Sequence, residues 1–318
     1  MESAIVAAGL VKRFGDVPAL DGIDFFVPPG TVFGLLGPNG AGKTTTVRIL
    51  TTIIRPDAGQ ASVLGHDVVT DAGVVRASIG LAGQYAAVDE NLTGAENLRM
   101  MGKLTHLPRS LIRERSGELL ERFELSAAAN RPVKTYSGGM RRRLDLAASL
   151  VHRPAVLFLD EPTNGLDPRS RNELWNVIED LVADGTTVLL TTQYLEEADR
   201  LADYLAVVDH GRIIAKGTPA GMKAGLGSTV IEVGMPGEGS ALMALQALAP
   251  LGVQPPMLDG TTVKLTVADG GSALLEALRA LDREGITPTG VSLREPSLDD
   301  VFLSLTGHAP MAEKAGVA

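Results

Sequence analysis

Residues 37–44 read Gly37-Pro38-Asn39-Gly40-Ala41-Gly42-Lys43-Thr44 and match the phosphate-loop pattern G-x-x-x-x-G-K-[ST]. The apolar run Thr31–Leu36 precedes this segment, and the helix-like stretch Thr45–Thr52 follows it. The glycines allow backbone N–H groups to turn inward around phosphate oxygens, and the helix that follows adds its positive end. A glycine-rich turn could match the pattern by chance, but the strand-loop-helix order argues against that alternative. The segment therefore predicts a nucleoside triphosphate site, with Lys43 on the β and γ phosphates and the Thr44 hydroxyl on Mg²⁺.

The length of 318 residues predicts two domains. From Ala4 to about Thr218, short β-type runs alternate with helical ones, as is typical of a layered α/β domain. A more polar, mostly helical segment interrupts this alternation and predicts an inserted helical subdomain. The order β, α, β, α, β after Gly225, with a further short strand near Val253, predicts a small ferredoxin-like α+β domain. The expected divisions are a phosphate-loop domain over 1–222 with the insertion at about 85–135, an α+β domain over 223–307, and a flexible tail over 308–318.

Composition excludes several classes of protein. The formal charge of −9 and the pI of about 5.1 argue against nucleic-acid binding, which needs a basic surface. The chain has no cysteines, so disulfides and thiolate metal sites are excluded. No apolar run approaches the roughly 18 residues of a membrane-spanning helix. Because Met1–Leu10 also lacks a secretory signal pattern, we expect a chain that stays inside the cell.

A second motif is the apolar run Val156–Leu159, which ends in Asp160 and Glu161. A buried strand of this kind places Asp160 at the carboxyl edge of the sheet beside the phosphate loop, where it can hold Mg²⁺, usually through water. Neighbouring strand residues face opposite sides, so Glu161 is expected to point the other way and to orient the attacking water as a base. The alternative is a strand that ends in ordinary solvated acids, and the nearby phosphate loop weighs against it.

A third motif is Ser137-Gly138-Gly139 at the start of a predicted helix. Its hydroxyl and N–H groups lie at a positive helix end and form a second anion cradle. One triphosphate does not need two cradles in one chain, so the second is expected to close on a nucleotide held by another copy. That arrangement predicts a head-to-tail homodimer with two shared sites. A plain helix cap is the alternative.

With these motifs the chain resembles the ATP-binding subunits of ABC transporters over roughly residues 4 to 220. The motifs occur together and in family order: Gly37–Thr44, Gly83-Gln84-Tyr85, Ser137-Gly138-Gly139, Asp160-Glu161 and Gly165-Leu166-Asp167-Pro168. The resemblance implies that Gln84 senses Mg²⁺ and the water and passes strain to a membrane partner, and that Asp167 lies at the dimer seam. It also implies that Phe14 stacks on adenine, whereas the alternative for Phe14 is a core position in a first strand.

One position departs from the family. Gln193 follows the predicted strand Thr186–Thr192 at a place where most members carry histidine. Glutamine can donate a neutral amide hydrogen bond to a γ-phosphate oxygen, but it cannot become a cation. The Gln193-Tyr194-Leu195 form is similar to the daunorubicin-resistance type of ATP-binding protein. That type also ends in a pattern like Glu295–Leu303, which equally predicts an amphipathic helix capped by Ser297 that packs Leu298, Val301, Phe302 and Leu305 against the small sheet.

The motifs and the resemblance together yield three sets of expected site residues. The expected catalytic residues are Glu161, Gln193 and Lys43. The residues expected to bind the nucleotide are Phe14, Gly37, Pro38, Asn39, Gly40, Ala41, Gly42, Lys43, Thr44, Thr45, Gln84, Ser137, Gly138, Gly139 and Asp167. The residues expected at the Mg²⁺ ion are Thr44, Gln84 and Asp160.

The resemblance implies an ATP-hydrolysing subunit that dimerises around two ATP molecules and drives a separate membrane permease from the cytoplasmic face of the membrane. The expected cargo is a drug-like or lipophilic compound that is exported. One alternative is a soluble ATPase of the same superfamily that remodels ribosomes or DNA, but such relatives usually carry two ATPase halves or a long coiled coil. A small-molecule kinase would not need the Ser137 motif. The run Arg141-Arg142-Arg143 is expected to form a solvated helix face or a face that meets the permease.

Overall fold

A computed structural model describes residues 3–83, 88–226 and 229–306. The chain divides into two compact units, Met1–Lys216 and Gly217–Ala318. This division lies a few residues ahead of the boundary expected at 222. The reason is that the helix Pro219–Ala224 contacts the last helix of the second unit, Leu298–Thr306.

The first unit alternates strands and helices. Its strands are β1 (Ile5–Phe14), β2 (Val17–Val27), β3 (Val32–Leu36), β4 (Ala58–Val63), β5 (His66–Asp67), β6 (Ile79–Ala82), β7 (Val156–Asp160), β8 (Thr187–Thr192), β9 (Tyr204–Asp209) and β10 (Arg212–Gly217). Its helices are α1 (Lys43–Leu50), α2 (Ala72–Ser78), α3 (Gly94–Leu104), α4 (Arg109–Arg122), α5 (Gly138–Ser149), α6 (Pro168–Ala183) and α7 (Leu195–Leu201).

A six-stranded sheet in the order β10-β9-β3-β8-β7-β6 forms the centre of the first unit. The pairs of β3 with β8 and β9, and of β7 with β6 and β8, are parallel. Helices and a second sheet cover both faces, which is why β3, β7 and β8 are buried along their length. Alternate residues serve the two faces: Phe158 joins the core that contains β1 and α1, whereas Leu159 joins the core that contains α5 and α6.

A four-stranded sheet in the order β2-β1-β4-β5, with antiparallel pairs, packs over one face of the six-stranded sheet. The simple alternation of strands and helices expected from Ala4 onward does not predict this sheet. Register shifts interrupt the pairing of β1 with β2 between Ala7 and Leu10. Such irregularities break the period-two hydrophobic pattern by which a strand is recognised.

Between β6 and α5, the described residues form α3, α4 and two short 3-10 turns, Ser126–Ala128 and Val133–Thr135. Helix α3 begins with a capping box, in which the Thr93 side chain accepts from Glu96 N and the Glu96 carboxylate accepts from Thr93 N. In the described parts of the chain, no helix combines the length and the apolar character needed to span a membrane.

The second unit contains α8 (Pro219–Ala224), β11 (Thr229–Gly234), α9 (Glu238–Leu248), β12 (Met257–Asp259), β13 (Thr262–Val267), α10 (Gly270–Arg283), β14 (Gly290–Arg294) and α11 (Leu298–Thr306). Its sheet has the order β12-β13-β11-β14 with antiparallel pairs, and its core includes residues of α9 and α10. The short strand expected near Val253 lies instead at Met257–Asp259, because Pro255 and Pro256 interrupt the chain between these positions.

Helix α11 is held by a charged network. Arg294 donates to both carboxylate oxygens of Asp300, at 2.5 and 2.8 Å, and to Glu232 at 2.7 Å. Ser297 caps the helix as expected, since its hydroxyl accepts from Asp300 N at 3.3 Å. Leu298, Val301 and Phe302 are buried as predicted. The expectation for Leu305 is wrong, because its side chain is 43 % exposed near the end of the helix.

Candidate nucleotide-binding site

The phosphate loop joins the buried strand β3 to α1 through tightly constrained glycines. A Cβ at Gly37 would lie 2.2 Å from Val208 O. Gly42 has a φ of 112°, and a Cβ there would lie 2.7 Å from Ala19 O. Helix α1 begins at Lys43 without a side-chain cap. The first-turn N–H groups therefore have no side-chain acceptor, which is the arrangement that suits an anion.

Lys43 lies beneath this loop and is 3 % exposed. Its ammonium group donates to Gly37 O at 2.7 Å and to Pro38 O at 3.0 Å, and it lies 3.4 Å from a carboxylate oxygen of Glu161. Burial lowers the pKa of Lys43, and the Glu161 carboxylate opposes that shift. The cation is therefore held at the loop by groups that a phosphate oxygen can replace.

Asp160 lies at the carboxyl edge of the sheet beside the phosphate loop, as predicted. The Thr44 hydroxyl donates to Asp160 Oδ1 at 3.2 Å, across 116 positions in the sequence. Thr191 of β8 donates to the same oxygen at 2.6 Å and fixes the carboxylate from the neighbouring strand. Sequence reasoning missed Thr191, although a threonine that interrupts the apolar run of β8 could have indicated it.

The orientation expected for Glu161 is wrong. Strand β7 ends at Asp160, and Glu161 has a left-handed backbone with φ 49°, so the alternation of strand side chains stops there. Its N–H donates to Thr191 Oγ1 at 3.0 Å, and its carboxylate turns back toward Lys43. Consecutive carboxylates therefore face one site, and Glu161 is 8 % exposed.

The Ser137 motif lies on the surface of the first unit. Ser137 is the N-cap of α5, and its hydroxyl accepts from Met140 N at 3.2 Å. The cap considered as an alternative is therefore present. Ser137 and Gly138 are also exposed, so the same groups can reach a ligand outside this chain.

Asp167 and Phe14 are exposed as well. Asp167 caps α6 by accepting from Arg169 N and Ser170 N. Phe14 ends β1 and is 49 % exposed, with Lys12 Nζ 5.8 Å from the ring centroid. This exposure rules out the core position that was the alternative for Phe14.

Gln193 directly follows β8, which lies between β3 and β7 in the sheet. The preceding residue is tied to the phosphate loop, since Gly37 N donates to Thr192 O at 3.2 Å. Gln193 is therefore at the same sheet edge as Asp160, and it is half-buried. Gln84 falls outside the described residues.

The three consecutive arginines of α5 do not behave alike. Arg141 pairs with Glu90 at 2.8 Å, and Arg143 pairs with Glu173 at 3.2 Å. The expectation of a solvated face is wrong for Arg142, whose side chain is 12 % exposed and donates to Pro162 O at 2.7 Å. Nothing in the run of identical residues distinguishes Arg142, which binds main-chain carbonyls, from its neighbours, which pair with carboxylates.

A cavity of about 880 Å³ is bordered by the phosphate loop, the first turns of α1 and α5, and the segment that follows β7. It is lined by Ala19, Asn39, Gly40, Gly42, Lys43, Thr44, Thr45, Gly138, Arg141, Arg142, Glu161, Asn164, Gly165 and Leu166. No group of three or more His, Cys, Asp and Glu side chains within the described residues could hold a metal ion. The Thr44 hydroxyl and the Asp160 carboxylate are hard oxygen donors 3.2 Å apart, which suits Mg²⁺ shared with a phosphate.

Comparison with known proteins agrees with this geometry. A family model described as ABC transporter matches residues 20–164. The chain is 55 % identical to the daunorubicin resistance ATP-binding protein DrrA3 of Streptomyces coeruleorubidus over 99 % of both chains. It is 43 % identical to a Nod factor export ATP-binding protein I of Ralstonia nicotianae, covering 94 % of this chain and 92 % of that one.

Among solved structures, cbiO1 of Clostridium perfringens, described as part of the ABC transporter complex cbiONQ, matches with a TM-score of 0.65 and 27 % identity. The match covers 70 % of this chain and 92 % of that one. The central fold is thus that of the ABC ATPase cassettes, and the chain hydrolyses ATP. The identity over nearly the full length shows that this chain belongs to the ATP-binding subunits of ABC transporters.

Proposed function

We propose that this chain powers the export of a drug-like or lipophilic compound through a separate integral-membrane permease. The observation that carries the proposal is the convergence of the buried Lys43, Asp160 and Glu161 beside the phosphate loop at the sheet edge. One relative is named for daunorubicin resistance and another for Nod factor export, and we carry export of such compounds over to this chain.

In the proposed mechanism, Lys43 leaves the carbonyls of its own loop to bind the β and γ phosphates of ATP. Glu161 then orients water for in-line attack, since its carboxylate already faces the loop at 3.4 Å from Lys43 Nζ. Gln193 donates its amide hydrogen to the γ-phosphate. Thr44 and Asp160 would hold Mg²⁺, which supplies charge neutralisation when bound. Phe14 is proposed to stack on adenine and Gln84 to contact the ion and the water.

We further propose that two copies share their sites. The exposed Ser137 and Gly138, together with the half-buried Gly139, would complete the nucleotide site of the partner subunit, with Asp167 at the seam. This explains why a second anion cradle lies at the surface. The segment 85–135, proposed as a helical subdomain, would contact the permease and transmit to it the conformational change that accompanies dimer closure. The assembly would lie on the cytoplasmic face of the membrane as a peripheral subunit.

For the second unit we propose a ferredoxin-like fold with a regulatory or assembly role. The strand order β12-β13-β11-β14 and the alternation with α9 and α10 support that fold. Residues 308–318, expected to form a flexible tail, lie outside the described residues.

The alternative, a superfamily ATPase that remodels ribosomes or DNA, has less support. The relatives matched over nearly the whole chain are named for drug resistance and export. The formal charge of −9 also opposes binding to nucleic acid.

The test is transport by a reconstituted pair. The chain would be placed in phosphatidylcholine vesicles with a candidate permease sought in the neighbouring reading frames, and daunorubicin fluorescence would report ATP-dependent movement across the bilayer. Vesicles with Glu161→Gln serve as the matched control, because the side chain keeps its shape but loses the base. Movement in vesicles with the parent chain and the permease, but not in vesicles with Glu161→Gln and the permease, supports the proposal. ATP hydrolysis by the reconstituted pair without movement of daunorubicin or of a second lipophilic probe would contradict it.

A further inference from the structure

The guanidinium of Arg142 binds the main chain on both sides of Glu161. Its Nε donates to Pro162 O at 2.7 Å, directly after the glutamate. Its Nη2 donates to Asp160 O at 3.5 Å, directly before it. The planar fork of an arginine can hold two such acceptors in one orientation, which a single ammonium group cannot do.

The same guanidinium also reaches a second strand and its own helix. Nη1 donates to Gly83 O at 2.5 Å, just after β6, and lies 3.3 Å from an Asp145 carboxylate oxygen one turn along α5. The Asp145 side chain is 1 % exposed and keeps the cation in place. Arg142 therefore joins α5, which starts at Ser137, to the segment that carries Glu161.

This arrangement matters because Glu161 has a left-handed backbone, with φ 49°. A residue in that conformation persists when its surroundings hold it. Thr191 holds the N–H of Glu161, and Arg142 holds the carbonyl oxygens before and after it. We infer that Arg142 is a positioning residue for ATP hydrolysis, which fixes Glu161 toward Lys43 and links the Ser137 helix to the hydrolytic site.

The inference rests on the proposed role of Glu161 as the base. The test compares Arg142→Lys with Arg143→Gln. Lysine keeps the charge beside Asp145 but cannot bind the Asp160 and Pro162 carbonyls together. Arg143 is the control, because it lies on the same helix, has 17 % of its side chain exposed and pairs with carboxylates. Steady-state ATPase rates, Mg-ATP affinity by calorimetry and thermal melting would be measured for the full chain.

For Arg142→Lys we expect kcat to fall about tenfold or more, while KM and ATP affinity change less than about threefold. Arg143→Gln should have the kcat, KM, ATP affinity and melting temperature of the parent. Arg142→Gln, which keeps one amide donor, should show the same split if the lysine variant fails to fold. A parent-like kcat in Arg142→Lys, or parallel losses of kcat, affinity and melting temperature, would overturn the inference.

Single-turnover hydrolysis in the Glu161→Gln background separates this inference from the proposed function. If Arg142 acts through Glu161, Arg142→Lys causes no further loss there. A further loss of about tenfold would show a route that does not involve Glu161. If Glu161→Gln itself hydrolyses ATP at the parent rate, the proposed base is wrong, whatever Arg142 does.

Discussion

The phosphate loop and the Ser137 motif differ in how each is supported. The groups around the loop are buried, with Lys43, Asp160 and Glu161 exposed by 3, 5 and 8 %, and contacts from β7 and β8 fix them. Ser137 is exposed, and its hydroxyl accepts only from the first turn of its own helix among the bonds described for it. The phosphate loop, here called the buried cradle, is thus backed by buried side chains, whereas the exposed cradle at Ser137 lies at the surface. The contrast separates what a single chain can do from what it needs a second chain to do.

The largest effect is expected for Glu161→Gln, at the buried cradle. Removal of the base should slow hydrolysis by about a hundredfold or more and leave ATP bound, because Lys43 and the loop are unchanged. Steady-state ATPase assays and size-exclusion chromatography with ATP would measure the loss and a persistent dimer. Lys43→Ala is the control, since it should weaken ATP binding itself. A near-normal rate for Glu161→Gln would contradict the role.

The exposed cradle is tested by mixing two inactive variants, Lys43→Ala and Ser137→Arg. If the sites are shared, a mixed dimer keeps one site with both cradles intact, so part of the ATPase activity should return. Subunit exchange must be demonstrated by a tag on one variant. If exchange occurs and activity does not return, both cradles act within one chain, and the Ser137 cradle does not serve a partner subunit.

A smaller effect is expected at Gln193, beside the buried cradle. Loss of one hydrogen bond to a charged phosphate costs about 1.5–3 kcal/mol, so Gln193→Ala should slow hydrolysis by roughly tenfold or more. Gln193→His should introduce a pH dependence centred near about 6.5, which the neutral amide lacks. ATPase rates from about pH 5.5 to 8.5 for the three proteins would show it. An alanine variant as fast as the parent would exclude this contact.

The smallest effect on the buried cradle is expected from removal of the second unit. A chain that ends at Lys216 contains every contact described around Lys43 and Asp160, so its affinity for ATP should match the full chain. Calorimetry with Mg-ATP and circular dichroism would check this. A folded truncated chain that does not bind ATP would show that the second unit contributes to the site.

The sequence predicted the features that depend on local order. The phosphate-loop motif around Lys43 and the buried strand that ends at Asp160 were expected to lie side by side at one edge of the sheet. The contact between Thr44 and Asp160 confirms this expectation. The apolar run Val156–Leu159 and the strand expected at Thr186–Thr192 agree with β7 and β8 within one residue.

Features that depend on tertiary contacts were not predictable in this way. Arg142 differs from the other two arginines because it donates to main-chain carbonyls that lie 18 to 59 positions away in the sequence. Thr191 contacts both the Asp160 carboxylate and the Glu161 N–H because β8 pairs with β7 in a register that places Thr191 opposite Asp160. The orientation of Glu161 depends on where β7 ends, and a pattern of hydrophobic residues does not locate that point to a single position.

The left-handed backbone of Glu161 means that position 161 carries two independent constraints in a mutational library. A left-handed conformation costs an ordinary L-residue about 1–2 kcal/mol, whereas glycine and asparagine adopt it readily. Substitution by glycine or asparagine should therefore yield folded but inactive proteins, and valine or isoleucine should be depleted for folding itself. The amount of folded protein would then rank the substitutions at position 161 by their preference for the left-handed backbone. The ATPase activity would rank the same substitutions in a different order.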